Sequence, residues 1–130
     1  MTHPAERYVG WEYDADTADC ADLVIQVQRE MFEREVDLPN GKPRGNRGRA
    51  VMAATAAAQC EPTDTPQDGD LVLMRETGRN RPGHAGVYFH IAGEGWVLHA
   101  TDRIGQAVFH RVRDLPVWGC FIEGFYSWAK

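Results

Sequence analysis

A cysteine and two histidines have the residue types and positions that nucleophilic catalysis requires. Cys20 follows Asp19, a residue type that caps helix N-termini, so the thiol falls at about the first helical position. There the helix dipole and the N–H groups of the first turn favour the thiolate, the nucleophilic form of cysteine. His84 and His99 supply an imidazole to take the thiol proton and a second polar group to orient that imidazole. These three residues predict a site for nucleophilic catalysis by the thiol.

The two histidines are expected on one face of a β-hairpin. Residues 83–91 alternate in character, which puts His84 on the face opposite the apolar residues. Residues 92–95 predict a turn, so His99 on the returning strand lies opposite Gly86 or Tyr88, according to the loop register. Either pairing places both imidazoles on one face. The residues expected to face the core are Ala85, Val87, Phe89 and Ile91.

The other histidines have weaker settings. His90 shares the parity of His84 but lies nearer the turn, so we expect it to be exposed, and His3 and His110 have no sequence context that suggests chemistry. A zinc site built from Cys20, His84 and His99 is an alternative to a nucleophilic cysteine. It is disfavoured because a hydrolytic zinc site needs a residue that activates water, and the pattern does not supply one. We therefore expect no metal and no cofactor.

Hydrophobic periodicity predicts helices first and strands afterwards. From Cys20 to Glu35 the apolar residues recur at steps of three and four, which is typical of a helix with one buried face. The alanine-rich segment Ala50–Gln59 predicts a second, shorter helix after a basic, glycine-rich loop over 38–49, and 61–69 predicts another loop. This order predicts an α+β fold with an antiparallel sheet packed against N-terminal helices. The predicted strands are Asp70–Arg75, His84–Ile91, Trp96–Thr101, Ala107–Val112 and Gly119–Tyr126.

Composition limits the class of protein. A chain of 130 residues is expected to form a single domain over 1–130, and its net charge of -5 argues against nucleic acid as a partner. No apolar run approaches the roughly 18 residues that cross a bilayer, and residues 1–7 lack the apolar core of a secretory signal. We therefore expect synthesis in the cytoplasm without a signal peptide, and no membrane association. Three cysteines without metal-type spacing do not make a disulfide framework, so Cys60 and Cys120 are expected to be small buried hydrophobes.

Four short motifs, taken in order, resemble the NlpC/p60 cysteine peptidases. They are the Asp19–Leu23 helix start, Gly69–Val72, Gly83–Tyr88 and Val97–Ala100, within a match that covers roughly residues 8–126. The resemblance implies a papain-like fold and cleavage of peptide bonds in bacterial cell-wall peptidoglycan. It also implies that Cys20 is the nucleophile, His84 the general base and His99 the residue that orients His84.

Members of that family carry a tyrosine before the cysteine that is thought to help stabilise the oxyanion. The segment from 9 to 13 is similar to the family's motif and selects Tyr13, whereas counting back from the cysteine selects Tyr8. Two departures bear on catalysis. Asp22 stands where the family usually has glycine, so its carboxylate opposes thiolate formation if it lies close. Residues 13–16 replace the family's tyrosine- and glycine-containing run.

The C-terminal segment 122–128 is similar to the endings of NlpC-like proteins from tailed phages and gene-transfer particles. That resemblance implies tail-tip proteins as partners and a location in a virion or phage-like tail, acting at the cell wall. The alternatives are a structural tail-assembly protein with a decayed site and a secreted cell-wall effector with the same chemistry.

Overall fold

The protein has an α+β fold, as predicted: among the residues that the structure describes, an α-helix packs on a six-stranded antiparallel sheet. A computed structural model describes residues 3–14, 18–36, 59–78 and 83–128. Helix α1 is Cys20–Phe32, and short 3₁₀ helices span Pro4–Tyr8 and Val112–Trp118. The strands are β1 Cys60–Thr63, β2 Leu71–Glu76, β3 His84–Ile91, β4 Glu94–Ala100, β5 Ala107–Arg111 and β6 Cys120–Trp128.

Helix α1 begins where the sequence predicts and ends three residues early. The Asp19 side chain accepts a hydrogen bond from the Asp22 N–H, and the Asp22 side chain accepts one from the Asp19 N–H, so the two residues form a reciprocal capping box. The helix stops after Phe32 because Glu33 adopts a left-handed conformation with φ of 51°. Its buried face packs on β3 and β4 and contains Leu23, Val24 and Val27.

The strand order β1-β6-β2-β3-β4-β5 places β3 and β4 side by side, so the predicted hairpin exists. Its register pairs Gly86 with His99, which selects one of the two pairings that the sequence left open. Ala85, Val87 and Phe89 face the cluster under α1, as expected. The opposite face is also buried, because the 3₁₀ helix of residues 112–118 packs Leu115 against Tyr88 and Val97.

The Gly69–Val72 motif connects three parts of the fold. The carbonyl of Gly69 accepts hydrogen bonds from the side chains of Gln28 in α1 and Trp128 in β6, and its N–H donates to Tyr88 in β3. Gly69 has φ of +93°, and an added Cβ would lie 2.8 Å from the Phe32 ring. A side chain is therefore excluded here by both backbone conformation and space.

Several local predictions were incomplete. Strand β1 was missed because its sequence contains Pro62, and it lies at the sheet edge, where a missing backbone donor is tolerated. Neither 3₁₀ helix was predicted. The basic loop and the predicted helix Ala50–Gln59 lie outside the described residues, apart from Gln59.

All three cysteines are free and buried. Within the described residues, no helix is long and apolar enough to span a membrane.

Candidate active site

His84 and His99 form a hydrogen-bonded pair inside the protein. His84 is the first residue of β3, and its Nε2 lies 2.7 Å from Nδ1 of His99, near the end of β4. The side chains are 3% and 0% exposed, so water does not compete for this bond. The structure thus brings together the two imidazoles that the sequence places on one face.

Gly86 makes room for this pair. A Cβ at Gly86 would lie 2.6 Å from Cγ1 of Val97, a distance that side chains do not tolerate, and would make a tight contact of 3.1 Å with Cβ of His99. The missing side chain therefore lets β4 approach and sets the position of the His99 ring beside His84.

His110 is a third member of the cluster, although its sequence context suggested no chemistry. Its Nδ1 lies 3.0 Å from Nε2 of His99, and its ring stacks on Trp118 at 4.7 Å with an interplanar angle of 8°. The signal was available in the predicted strand order. β4 and β5 pair with His99 opposite Val108, so His110 lies diagonally across on the same face.

The protein interior favours the neutral form of these histidines. Burial lowers the pKa of His84 and His110, and it lowers the pKa of His99 well below the ordinary value. At His84 the carboxylates of Glu76, Asp102 and Asp19 act in the opposite direction and favour the imidazolium. The site therefore holds a neutral imidazole in surroundings that can stabilise its protonated form.

Cys20 is the first residue of α1 and is 7% exposed. It lies in the same core cluster as Ala85 and Ala100, the chain neighbours of His84 and His99. The adjoining Asp19 carboxylate is near enough to His84 to raise its pKa against the effect of burial. These observations place the start of α1 beside the histidine end of the hairpin. Direct pairing of the Cys20 thiol with His84 stays a prediction.

Comparison with known families identifies the family of the chain. A sequence model of the NlpC/P60 family matches residues 6–118, which contain Cys20 and all three clustered histidines. The chain belongs to the NlpC/P60 family. This family consists in general of cysteine peptidases that act on peptidoglycan, and the α+β structure is consistent with its papain-like fold. No curated protein matches the chain at a significant level.

The two tyrosines considered for the family's oxyanion role occupy different places. The Tyr8 hydroxyl donates to Glu30 at 2.6 Å, and Glu30 lies ten residues beyond Cys20, about 15 Å along the helix axis. Tyr13 instead precedes Asp14, which forms a bridge with Ala18 just before α1. The structure therefore places Tyr13 closer to the Cys20 end of the helix. Its catalytic role stays a prediction.

The other two cysteines differ in their surroundings. Cys60 is a buried residue of the apolar cluster, as expected, and burial raises its pKa to about 12. Cys120 is also buried, with a pKa raised to about 11, but its sulfur and one ring nitrogen each of His84 and His99 all lie within 4.8 Å of one another. Cys120 is thus more than the small hydrophobe expected from the sequence. Its raised pKa keeps the thiol protonated at neutral pH and argues against a nucleophilic role.

Proposed function

We propose that this NlpC/P60 protein is a cysteine endopeptidase that cleaves amide bonds in peptidoglycan stem peptides through a thioester intermediate. The observation that carries the proposal is the buried bond between His84 Nε2 and His99 Nδ1. It orients a neutral imidazole at the end of the hairpin on which the cysteine helix packs. Family membership supplies the substrate class.

The bond to His99 assigns a separate task to each nitrogen of His84. Nε2 faces His99, so Nδ1 is the nitrogen left to accept the Cys20 proton. This requires neutral His84 to carry its own proton on Nε2 and to donate it to the lone pair of His99 Nδ1. The same bond persists after His84 takes a second proton, and it stabilises the imidazolium that forms.

The reaction then proceeds in two acyl transfers. The Cys20 thiolate attacks the carbonyl carbon of the scissile amide, and the tetrahedral oxyanion meets the backbone N–H of Cys20 at the helix N-terminus, with Tyr13 beside it. His84 returns its proton to the leaving amine, and the C–N bond breaks to leave a thioester. Water, deprotonated by His84, hydrolyses the thioester and regenerates the thiol.

Alkylation of Cys20 as a function of pH tests the activated pair before any substrate is needed. We expect iodoacetamide to modify Cys20 well below its reference pKa of about 8.5, and a His84→Ala variant to lose this low-pH reactivity. Intact mass and peptide mapping identify the modified residue. Cys60→Ala is the matched control, because Cys60 is equally buried and lies outside the site. Equal Cys20 reactivity in wild type and His84→Ala would exclude the proposed pair.

Digestion of purified peptidoglycan tests the reaction itself. Cys20→Ala should reduce the release of new amine termini by at least about 10⁴-fold, as loss of a covalent nucleophile does, while Cys60→Ala retains activity. Mass spectrometry of the released fragments identifies the bond that is cut. Undiminished digestion by folded Cys20→Ala would overturn the cysteine mechanism.

The proposed setting is the tail tip of a phage or phage-like particle, with tail proteins as partners and the cell wall as the place of action. The similarity of residues 122–128 to the endings of such proteins supports this setting. In the structure that segment is part of β6 and pairs with both β1 and β2, so its aromatic residues also serve the fold. Co-purification with particles separates this setting from a secreted effector. Normal assembly and infection by Cys20→Ala particles would instead favour a structural tail protein.

A further inference from the structure

We infer that His84, His99 and Cys120 form a binding site for a divalent transition-metal ion of the zinc class. Their ligand atoms lie within 4.8 Å of one another, and the three side chains are 3%, 0% and 2% exposed. Imidazole nitrogen and cysteine sulfur are the ligands that zinc prefers in proteins. This ligand set differs from the zinc site considered from the sequence, because its sulfur ligand is Cys120 and not Cys20.

The three ligands come from parts of the sheet that their neighbours hold in place. Cys120 begins β6, opposite Glu76 of β2, and His84 begins β3, opposite Met74 of the same strand. The Cys120 thiol makes a long contact of 3.9 Å with the carbonyl oxygen of Trp118, and a small rotation of the side chain would give up only this weak hydrogen bond. Strand pairing rather than loop conformation therefore fixes the spacing of the set.

The charges around the site favour a cation. Three carboxylates lie within electrostatic range of His84, and among the described residues the opposing charge is the guanidinium of Arg103. The carboxylates are those of Glu76, Asp102 and Asp19. Glu76 also acts on Cys120 and lies directly across from it in the sheet. Carboxylates outside the ligand set commonly orient and support metal ligands.

Small shifts convert the hydrogen-bonded pair into a ligand pair. Two nitrogens at about 2.0 Å from a tetrahedral zinc ion are about 3.3 Å apart, so the rings must separate by roughly half an ångström. The Cys120 thiol releases its proton to solvent, and the His84 proton moves from Nε2 to Nδ1. In the tautomer that the proposed mechanism requires, His99 already presents a lone pair at Nδ1 and carries its proton on Nε2, which lies 3.0 Å from Nδ1 of His110. His110 then serves as an outer partner that holds the His99 ring.

This proton arrangement makes metal binding and catalysis mutually exclusive. With the metal on Nε2, the proton of His84 occupies Nδ1, the nitrogen that must accept the Cys20 proton. The exclusion rests on the proposed peptidase function, whereas binding of the ion does not. Zinc should therefore act as a reversible inhibitor whose site includes a cysteine other than the nucleophile.

Titration of the chelator-treated protein with Co²⁺ tests the binding site without any activity measurement. We expect one equivalent to give the visible bands of a tetrahedral ion together with a thiolate-to-metal charge-transfer band. Cys120→Ser should lose the charge-transfer band and weaken binding by about tenfold or more, while Cys20→Ser and Cys60→Ser retain both. Retention in Cys120→Ser with loss in Cys20→Ser, or no thiolate band at all, would overturn the proposal.

A measurement on the wild type avoids dependence on the folding of the Cys120 variant. One equivalent of Zn²⁺ should shift the side-chain ¹⁵N resonances of His84 and His99 in long-range ¹H–¹⁵N spectra, and leave those of His3 and His90 unchanged. Unchanged His84 and His99 resonances would exclude the site.

Zinc inhibition links the site to the enzyme. Each protein is compared with its own metal-free rate, and Cys120→Ser should need about tenfold more Zn²⁺ than wild type for half inhibition. Equal sensitivity would show that zinc inhibits elsewhere. Failure of the peptidase proposal can be distinguished from failure of the metal site. In that case the metal-free wild type would have no peptidase activity but would still give the cobalt spectrum.

Discussion

The three clustered histidines determine one another's protonation. If His84 keeps its proton on Nε2, His99 must accept at Nδ1 and carry its proton on Nε2, where His110 Nδ1 accepts it. Stacking on Trp118 holds the His110 ring in this orientation. His110 contacts His99 rather than the reacting atoms, so its role is to position His99. The Nδ1 lone pair of His84 thus depends on a residue two hydrogen bonds away.

Replacement of His110 tests this dependence. His110→Phe should lower kcat by about tenfold to a hundredfold and leave KM nearly unchanged, because His99 loses the acceptor that fixes its tautomer. His110→Asn should recover part of the rate, since its side-chain oxygen can accept from His99 Nε2–H. Steady-state kinetics on a defined stem-peptide fragment measures both values.

His90→Ala serves as the control, because His90 is an exposed histidine of β3 outside the cluster. Equal kcat values for the Phe and Asn variants would show that His110 contributes packing rather than an acceptor, and the assigned tautomers would lose their support.

At the scale of elements, the start of α1 depends on two carboxylates with separate tasks. Asp19 satisfies the N–H of Asp22, and Asp22 satisfies the N–H of Asp19. The sequence raised Asp22 as an obstacle to thiolate formation. The structure gives it a structural purpose as well, which accounts for a carboxylate in the first turn of a helix that begins with cysteine.

The capping box should contribute measurably to stability. Asp19→Ala and Asp22→Ala should each lower the free energy of unfolding by about 1 kcal/mol, and the double variant by less than the sum, because both bonds belong to one unit. Urea denaturation measures the differences in unfolding free energy. Asp64→Ala is the control, because Asp64 is an exposed carboxylate outside any helix. Strict additivity would show that the two bonds form independently.

The β3–β4 hairpin depends on glycine at position 86. Gly86→Ala should lower the free energy of unfolding by about 1–3 kcal/mol, because the new methyl group overlaps Val97 and the Leu98 carbonyl. Gly124→Ala is the matched control: it also lies in a strand, but its Cβ would meet the Tyr126 side chain at 3.3 Å or more. Activity should fall with stability only for Gly86→Ala, since only this methyl group displaces His99. Similar losses in both variants would contradict this account.

The elements that carry strong local signals could be predicted, and those that depend on distant partners could not. Helix α1 and strand β3 have patterns that can be recognised within a few residues: a helical period with the capping residue Asp19, and a strand alternation. The sequence therefore predicted the start of α1, and the observed hairpin register is one of the two that it allowed. Strand β1 has no such pattern, because its pairing depends on β6, more than fifty residues away. The proximity of Cys120 to His84 likewise arises from the pairing of β2 with both β3 and β6, which no local pattern records.

At the scale of the whole molecule, the fold extends beyond the part that the family model matches. The match ends at residue 118, whereas β6 lies between β1 and β2 within the sheet. A protein truncated after Trp118 should therefore fail to fold, while one truncated after Trp128 should keep native far-UV circular dichroism and a cooperative thermal transition. A cooperative transition in the shorter protein would show that β6 is dispensable.

Buried neutral histidines should also make the stability of the whole protein depend on pH. Burial lowers the pKa of His84 and His99 in the folded protein, whereas in the unfolded chain both have a pKa of about 6.5. The unfolded chain therefore binds more protons below that value, and stability falls as pH decreases from about 6.5 towards the folded pKa values. Two such groups give a limiting slope of about 2.7 kcal/mol per pH unit.

Urea denaturation at pH 7.5, 6.5 and 5.5, with a chelator present, measures this dependence. The free energy of unfolding should change little between the first two values and fall clearly between the second and third. A His84→Asn/His99→Gln variant should show a flatter profile below pH 6.5, because it lacks both titrating rings, whatever its stability at neutral pH. Equal slopes in the variant and the wild type would assign the loss to other groups. Folding would then not lower the pKa of these two imidazoles, which would contradict the account of His84 and His99 as a buried pair that favours the neutral form.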